Sequence, residues 1–315
     1  MPAIHIITHG HCNDGLFAAY TASRFYADSE VRYSFVSPSD SRSWPKPAAE
    51  EYLFLDVTFP LEDMLRFRSV ATALTIIDHH PHTADFMDEF GDQTFDSSCC
   101  AAVLTHRHFF PDEPVPEFLE SVNRVDLWLA PTERDLILRE LFHDIAHQAP
   151  SNPTVAFANL STLLTNLASP TFSAIPLALG IASLSKKRLD IETCHQRCPH
   201  KIVTMEDPDD LEEFGVSPSW LGKKVMVMDT TLVKSMGLYF DSSLAGDHFI
   251  KTQGVDVFIN YYKVSWIKQG TSHYKIVYHA RSTTTDLTEC DVLEGHPSAA
   301  GGQHEFKGTP LPFVI

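Results

Sequence analysis

Three short apolar runs stop at residues that bind metals or move protons, and this punctuation limits the possible folds. Ala3–Thr8 leads into His9-Gly10-His11-Cys12-Asn13-Asp14-Gly15, Tyr52–Leu55 into Asp56, and Ala73–Ile77 into Asp78-His79-His80. Runs this short, β-prone and bounded by polar loops read as buried strands. Val31–Val36 reads as a further strand, and Leu16–Ala27 and Leu61–Ser69 as helices between them. Strands alternating with helices predict an α/β fold, a parallel sheet covered on both faces. Ligands of such sheets bind at the carboxyl edge, where these polar residues would gather. Neighbouring side chains at a strand end point different ways, so His79 and His80 can serve different partners.

Ser97–Phe110 and Glu117–Arg124 read as helices, the second leading to Val125-Asp126-Leu127-Trp128. From Leu136 to Arg197 the chain is helix-rich, interrupted by Pro150, Pro153, Pro170 and Pro176, with Ile175–Arg197 as one long connecting helix. The acidic, proline-containing stretch Glu206–Pro218 reads as a linker. A second, smaller α/β unit follows, with strands at Lys224–Asp229, Val255–Lys263 and Tyr274–Ala280 and a helix within Leu238–Gln253. The expected division is residues 1–150, a helical connector at 151–218, and a C-terminal domain at 219–315.

The whole chain of 315 residues carries 24 basic and 41 acidic side chains, a net charge of −17. From Ser219 onward there are nine of each, so the remaining 15 basic and 32 acidic residues, and the whole deficit, lie before it. A protein that grips long duplex nucleic acid carries a basic face, and this composition argues for a short anionic substrate instead. No apolar run reaches the roughly 18 residues of a membrane span. The N-terminus shows no signal-peptide pattern. The six cysteines form no extracellular framework, which points to a reducing, cytoplasmic setting. Cys194-His195-Gln196-Arg197-Cys198-Pro199-His200 has zinc-like spacing but no matching second cysteine pair, and reads as a chance or surface cluster.

His9, Asp14, Asp56, His79 and Asp126 are candidate ligands at the strand ends. Imidazole mixed with carboxylate suits Mn²⁺ or a similar ion better than Ca²⁺. Two ions about 3.5–4 Å apart need a bridging carboxylate, for which Asp56 is the natural choice. Each residue has an ordinary alternative: Asp14 could cap the following helix, Asp56 could start a turn, and Asp126 could be a salt-bridged surface acid.

The sequence resembles the DHH phosphoesterases. His9-x-x-Cys12-x-Asp14-Gly15 with Ala18-Ala19, then Asp56, then Asp78-His79-His80, then Asp126, is similar to their four motifs in order. Arg281-Ser282 and Gly301-Gly302-Gln303-His304 resemble the phosphate-binding motifs of the associated C-terminal domain. The resemblance implies two metals in the first domain and a mobile second domain closing over substrate. His9 and Asp56 would hold one ion, and Asp14, Asp56, His79 and Asp126 the other. It implies Mn²⁺, with Mg²⁺ or Co²⁺ as alternatives. His80 would contact phosphate, with Asp78 orienting the histidine pair. Arg281, Ser282, Gly301, Gly302 and His304 would bind substrate, with His296 as the alternative to His304. Cys12 stands where many members carry a second Asp, although a Cys variant also occurs; it would make the first site softer.

The expected activity is hydrolysis of very short oligonucleotides to nucleoside monophosphates, as in the family's nanoRNases. Alternatives within the superfamily are a 3′,5′-bisphosphonucleotide phosphatase, a cyclic-dinucleotide phosphodiesterase, a polyphosphatase and a RecJ-type exonuclease. From a different class, a catalytically silent nucleotide-binding regulator also fits. The expected partner is a short oligonucleotide or another small phosphate ester, not long duplex nucleic acid or a membrane; a homodimer is allowed.

Overall fold

In the computed structural model, strands form at the expected apolar runs. β1 (Ile4–His9), β2 (Val31–Val36), β3 (Glu51–Leu55), β4 (Ala73–Asp78) and β5 (Asp92–Phe95) build one sheet in the order β2-β1-β3-β4-β5, with every pair parallel. The structure describes residues 4–305 except 39, 86, 91, 208–210, 212–214, 269–270, 291–292 and 297; it describes no side chain at 88, 265–268, 271–274, 294–296, 302, 304 or 305. The chain divides into two units, Met1–Leu184 and Ser185–Ile315.

The first unit is organised by alternation along the strands. Ile4, Ile6, Leu53, Leu55 and Ile77 pack into one core with residues of α1 (Asn13–Phe25), α4 (Ala101–Phe109), α5 (Glu117–Asp126), α6 (Glu133–Gln148) and α7 (Pro153–Ala168). Ile7, Tyr52, Phe54 and Ile76 form the opposite core, joined by Met64 and Phe67 of α2 (Leu61–Val70). A one-turn helix α3 (Pro81–Ala84) follows β4. The strand order reverses between β1 and β3, and α/β sheets open a ligand crevice at such a reversal, outside the carboxyl ends of the strands.

The first unit differs from the sequence reading at β5, Asp126 and Asp14. Asp92–Phe95 is an added edge strand, too short and polar to carry an apolar signal. Asp126 is the last residue of α5 rather than a residue at a strand end, and Asp14 sits in the first turn of α1.

Helix α8 (Ala174–Arg197) begins in the first unit and ends in the second, which continues with β6 (His200–Thr204), β7 (Lys224–Asp229), α9 (Ser242–Gln253), β8 (Val257–Lys268), β9 (Thr271–Ser282), β10 (Glu294–His296) and β11 (Ala299–Glu305). The six strands lie in the order β10-β11-β9-β8-β7-β6, and only β7 and β8 are parallel. The glycine-rich tail is therefore strand. Gly301 pairs with His279, and a Cβ added there would lie 3.0 Å from the Tyr278 carbonyl oxygen, so the close strand packing favours glycine. Among the described residues, the Cys194–His200 cluster supplies no group of three converging ligands, and no helix is long and apolar enough to cross a membrane.

Candidate metal centre

The start of α1 sits directly on the end of β1. A Cβ on Gly15 would lie 2.3 Å from the His9 carbonyl oxygen, and Thr8 Oγ1 donates to the Gly15 carbonyl at 2.9 Å. This close approach brings Asp14 beside the residues that follow β3 and β4. His79 Nε2 lies 3.3 Å from Asp56 Oδ1, 3.5 Å from Asp126 Oδ2 and 3.6 Å from Asp14 Oδ2. His9 Nδ1 lies 3.8 Å from Asp56 Oδ2. His9, Cys12 and Asp56 place donor atoms within 4.8 Å of one another, as do Asp14, His79 and Asp126. Asp56 touches both groups.

The charge state of these residues without an ion tests whether a cation fits. Asp56 is 2% exposed, and its Oδ2 accepts no hydrogen bond. Burial, then Asp14 and Asp126, push its carboxyl well above the usual carboxylate range. Burial, then Asp56, Asp126 and Asp14, likewise push the Cys12 thiol up. Burial and the nearby His80 hold His9 down at about 4, so its imidazole is neutral at pH 7. A free carboxylate oxygen, repelled acids and a neutral imidazole form a donor set that a divalent cation would complete. Asp56 and His11 both hold left-handed backbone, with φ of 59° and 61°. For non-glycine residues this is an uncommon conformation, and here it marks two loops of the centre.

Asp78 is a neighbour with a different task. It too groups with Asp56, His79 and His80, but its oxygens are already engaged. Oδ1 accepts from the His79 and His80 backbone N–H groups at 2.7 and 3.2 Å and from His80 Nδ1 at 2.7 Å, and Oδ2 accepts from Thr83 Oγ1 at 2.7 Å. Burial opposes ionisation of Asp78, but the bonds from His80 and Thr83 prevail and hold it at about 2. Burial alone would lower His80; Asp78 outweighs it and raises the imidazole above its ordinary range.

Asp14 does not cap its own helix. Its two oxygens accept from the Ala101 and Ala102 N–H groups at 2.8 and 2.7 Å, at the start of α4. Asn123 Oδ1 accepts from the Cys100 N–H at 2.7 Å and completes that helix end. Thr83 and Asn123 support the centre, yet no sequence reading singled them out. Both act across loops or between helices, at spacings that no local motif reveals.

In the second unit, Arg281 donates through Nε and Nη2 to Ser243 Oγ at 3.1 and 2.6 Å and through Nη1 to the Ala280 carbonyl at 2.7 Å. Ser282 is buried; its hydroxyl donates to the Asp256 carbonyl at 2.9 Å and accepts from the Thr285 N–H at 2.8 Å. The side chains of His296, Gly302 and His304 lie outside the described residues; their backbones belong to β10 and β11.

No family model matches this sequence, and neither does any curated protein. Solved structures do. The pGpG-specific phosphodiesterase PggH from Vibrio cholerae aligns over 96% of this chain and 94% of its own, at 15% identity and a TM-score of 0.51. This chain shares the fold of PggH. An exopolyphosphatase-related protein from Bacteroides fragilis aligns over 98% of this chain and 88% of its own, at 12% identity and a TM-score of 0.49. RecJ from Thermus thermophilus, solved with Mn²⁺, aligns over 96% of this chain but 49% of its own, at 13% identity and a TM-score of 0.44.

Proposed function

We propose that this protein is a Mn²⁺-dependent phosphoesterase that releases nucleoside monophosphates from short oligonucleotides. The observation that carries this reading is Asp56, a buried carboxylate with a free oxygen, set between His9 and Cys12 on one side and His79, Asp14 and Asp126 on the other. His9, Cys12 and Asp56 would hold one ion, and Asp14, Asp56, His79 and Asp126 the second. Bound there, two such ions supply Lewis-acid activation of water and neutralise phosphoryl oxygens. His80, whose pKa Asp78 raises through the Nδ1 bond, would in its protonated form offer Nε2–H to a phosphate oxygen, where developing charge is stabilised. Asp78 fixes the ring and needs no metal for that task. Arg281 is the proposed clamp for the substrate's anionic end, with the backbone at Gly301 and Gly302 and a histidine, His304 or His296, as further donors.

The fold shared with PggH supports hydrolysis of phosphate esters, and PggH is named for a dinucleotide, which agrees in kind with a short substrate. Purified protein is assayed with bis(4-nitrophenyl) phosphate and with dinucleotides, with Mn²⁺ and after chelation. Hydrolysis that requires the metal is expected. Nucleotide binding without hydrolysis in any metal would favour the silent regulator and overturn the enzyme reading.

A further inference from the structure

Residues 145–185 contain no Asp, Glu, Lys or Arg. In a chain that is 21% charged, a stretch of that length would ordinarily hold about nine such residues. It covers all of α7 and the first half of α8, up to the end of the first unit at Leu184. A core segment needs no charge, but much of this one is not in the core. Ile175 is 71% exposed, Leu179 65%, Phe172 60% and Ile181 50%.

The start of α8 is apolar on two sides. Gly180 and Leu184 face inward; a Cβ on Gly180 would lie 2.7 Å from the Ile137 carbonyl oxygen, so α8 rests directly on α6. Ile175, Ala178, Leu179 and Ala182 recur at i, i+3, i+4 and i+7 on another side, and all four are exposed. A helix apolar all round is normally buried, whereas this one covers α6 with one side and presents the other to solvent. The four large side chains and the alanines between them expose on the order of 600 Å², the upper end of the largest apolar patch on a monomer and close to the roughly 800 Å² each partner gives to a standard interface.

Charge decides what covers this face. A two-fold contact sets a patch against its own copy, so a charge near its centre would meet itself. Two chains of net charge −17 repel each other, and a face without charged side chains is where they meet at least cost. Homodimer interfaces are apolar and poor in charge at their centres, as this face is. A membrane fits less well, because anionic headgroups repel so acidic a chain. The lysines that follow the stretch are not offered to lipid: Lys187 is buried, and Lys186 donates to Asp190 at 2.7 Å.

We propose that the exposed apolar face at the start of α8, with Phe172 just before it, is the surface on which a second copy of this chain docks to form a two-fold homodimer. Ile175 and Leu179 lie at its centre. The exposed Ala178 and Ala182 beside them let the two helices approach closely.

The dimer needs neither metal nor substrate, so it is measured on the chelated full-length protein and is independent of the phosphoesterase reading. Sedimentation velocity from about 1 to 100 µM spans the weak limit of standard-sized interfaces, and the wild type should reach twice the mass of one chain within it. The double variant Ile175→Glu with Leu179→Glu changes side chains that are 71% and 65% exposed, so the fold is kept, and circular dichroism checks this. It sets like charges against each other and should weaken the dimer at least about a hundredfold. Leu221→Glu, in the second unit at a side chain 49% exposed, is the control and should leave the dimer intact. A wild type that stays monomeric at the highest concentration, or a dimer equally stable in the double variant, would overturn the proposal. So would a dimer that Leu221→Glu disrupts as strongly. A monomeric wild type that floats with phosphatidylcholine vesicles, when the double variant does not, would assign the face to a membrane instead.

Discussion

At the scale of single residues, Asp56 shows why a candidate metal centre costs stability until it is filled. A buried acid among acids has little solvent and, at Oδ2, no donor to offset its charge. Asp56→Asn keeps the shape and tolerates the left-handed backbone, since Asn adopts that conformation readily. The metal-free variant should melt at or above the wild-type temperature, lose the upward shift that Mn²⁺ gives the wild type, and lose turnover. Differential scanning fluorimetry with and without Mn²⁺ measures all but the last; a variant that keeps the Mn²⁺ shift would remove Asp56 from the bridging position. Thr83 makes the opposite prediction. Its hydroxyl satisfies an oxygen of buried Asp78, so Thr83→Val should cost about 1–3 kcal/mol of stability yet leave Mn²⁺ affinity unchanged. Weakened metal binding in that variant would mean that Asp78 also ligates. His9, Asp56 and His79 were legible because each ends a β-prone run, where position alone predicts a shared edge. Thr83 and Asn123 were not, because a polar residue that supports another across a loop leaves no periodic trace.

Among elements, the same carboxylate that belongs to the candidate metal centre also ends a helix. Asp14 accepts two N–H groups from α4, whose own N-cap residue, Cys100, makes no side-chain cap. Asp14→Ala should therefore lose about 0.5–2 kcal/mol of stability even without metal, the range for a lost cap, whereas Asp56→Asn should not. Chemical denaturation of both chelated variants separates the two; equal stabilities would refute the capping role. Helix α6 gives a pH-dependent case. Burial opposes ionisation of Asp135, but bonds from Arg124, Ser121 and Thr132 prevail and hold its carboxyl well below the usual range. A depressed folded pKa means that the unfolded chain takes up the proton first, so the stabilisation is full above the unfolded value of about 3.9 and is lost as the pH falls through the folded one. Asp135→Asn should destabilise the protein by about 1.5–3 kcal/mol at pH 7, with the difference shrinking below about pH 4. Denaturation from pH 7 to 3 checks this, and a pH-independent difference would show that packing rather than charge carries the effect. Element type was legible where a strand is buried on both faces, as in β1, β3 and β4. It failed for β5, which is polar, and for Asp126, where a helix end delivers the carboxylate expected from a strand. β11 was hidden because glycine is disfavoured in strands, and its antiparallel pairing with β9 and β10 leaves no local trace.

For the molecule as a whole, charge is the strongest constraint on substrate length. The acidic excess lies entirely before Ser219, in the part of the chain that carries His9, Asp56 and His79. A long single strand would bring phosphates past a part of the chain where 32 acidic side chains outnumber 15 basic ones, leaving few lysines and arginines to replace their counterions. A short substrate brings few phosphates, and under the proposed function the ions and His80 would neutralise the one being cleaved. Hydrolysis rate should therefore fall as the oligonucleotide lengthens from two to about twenty nucleotides, a span greater than the roughly 4–16 nucleotides of a typical single-strand site. The salt dependence should be shallow. Two or three neutralised phosphates give a slope of log affinity against log salt of about −1.4 to −2, whereas a strand-tracking exonuclease with many contacts falls far more steeply. The two measurements check each other. A dinucleotide cut fastest with a shallow slope supports the short-substrate reading, and a rate that is flat or rises with length would transfer the assignment to a processive exonuclease whatever the metal dependence.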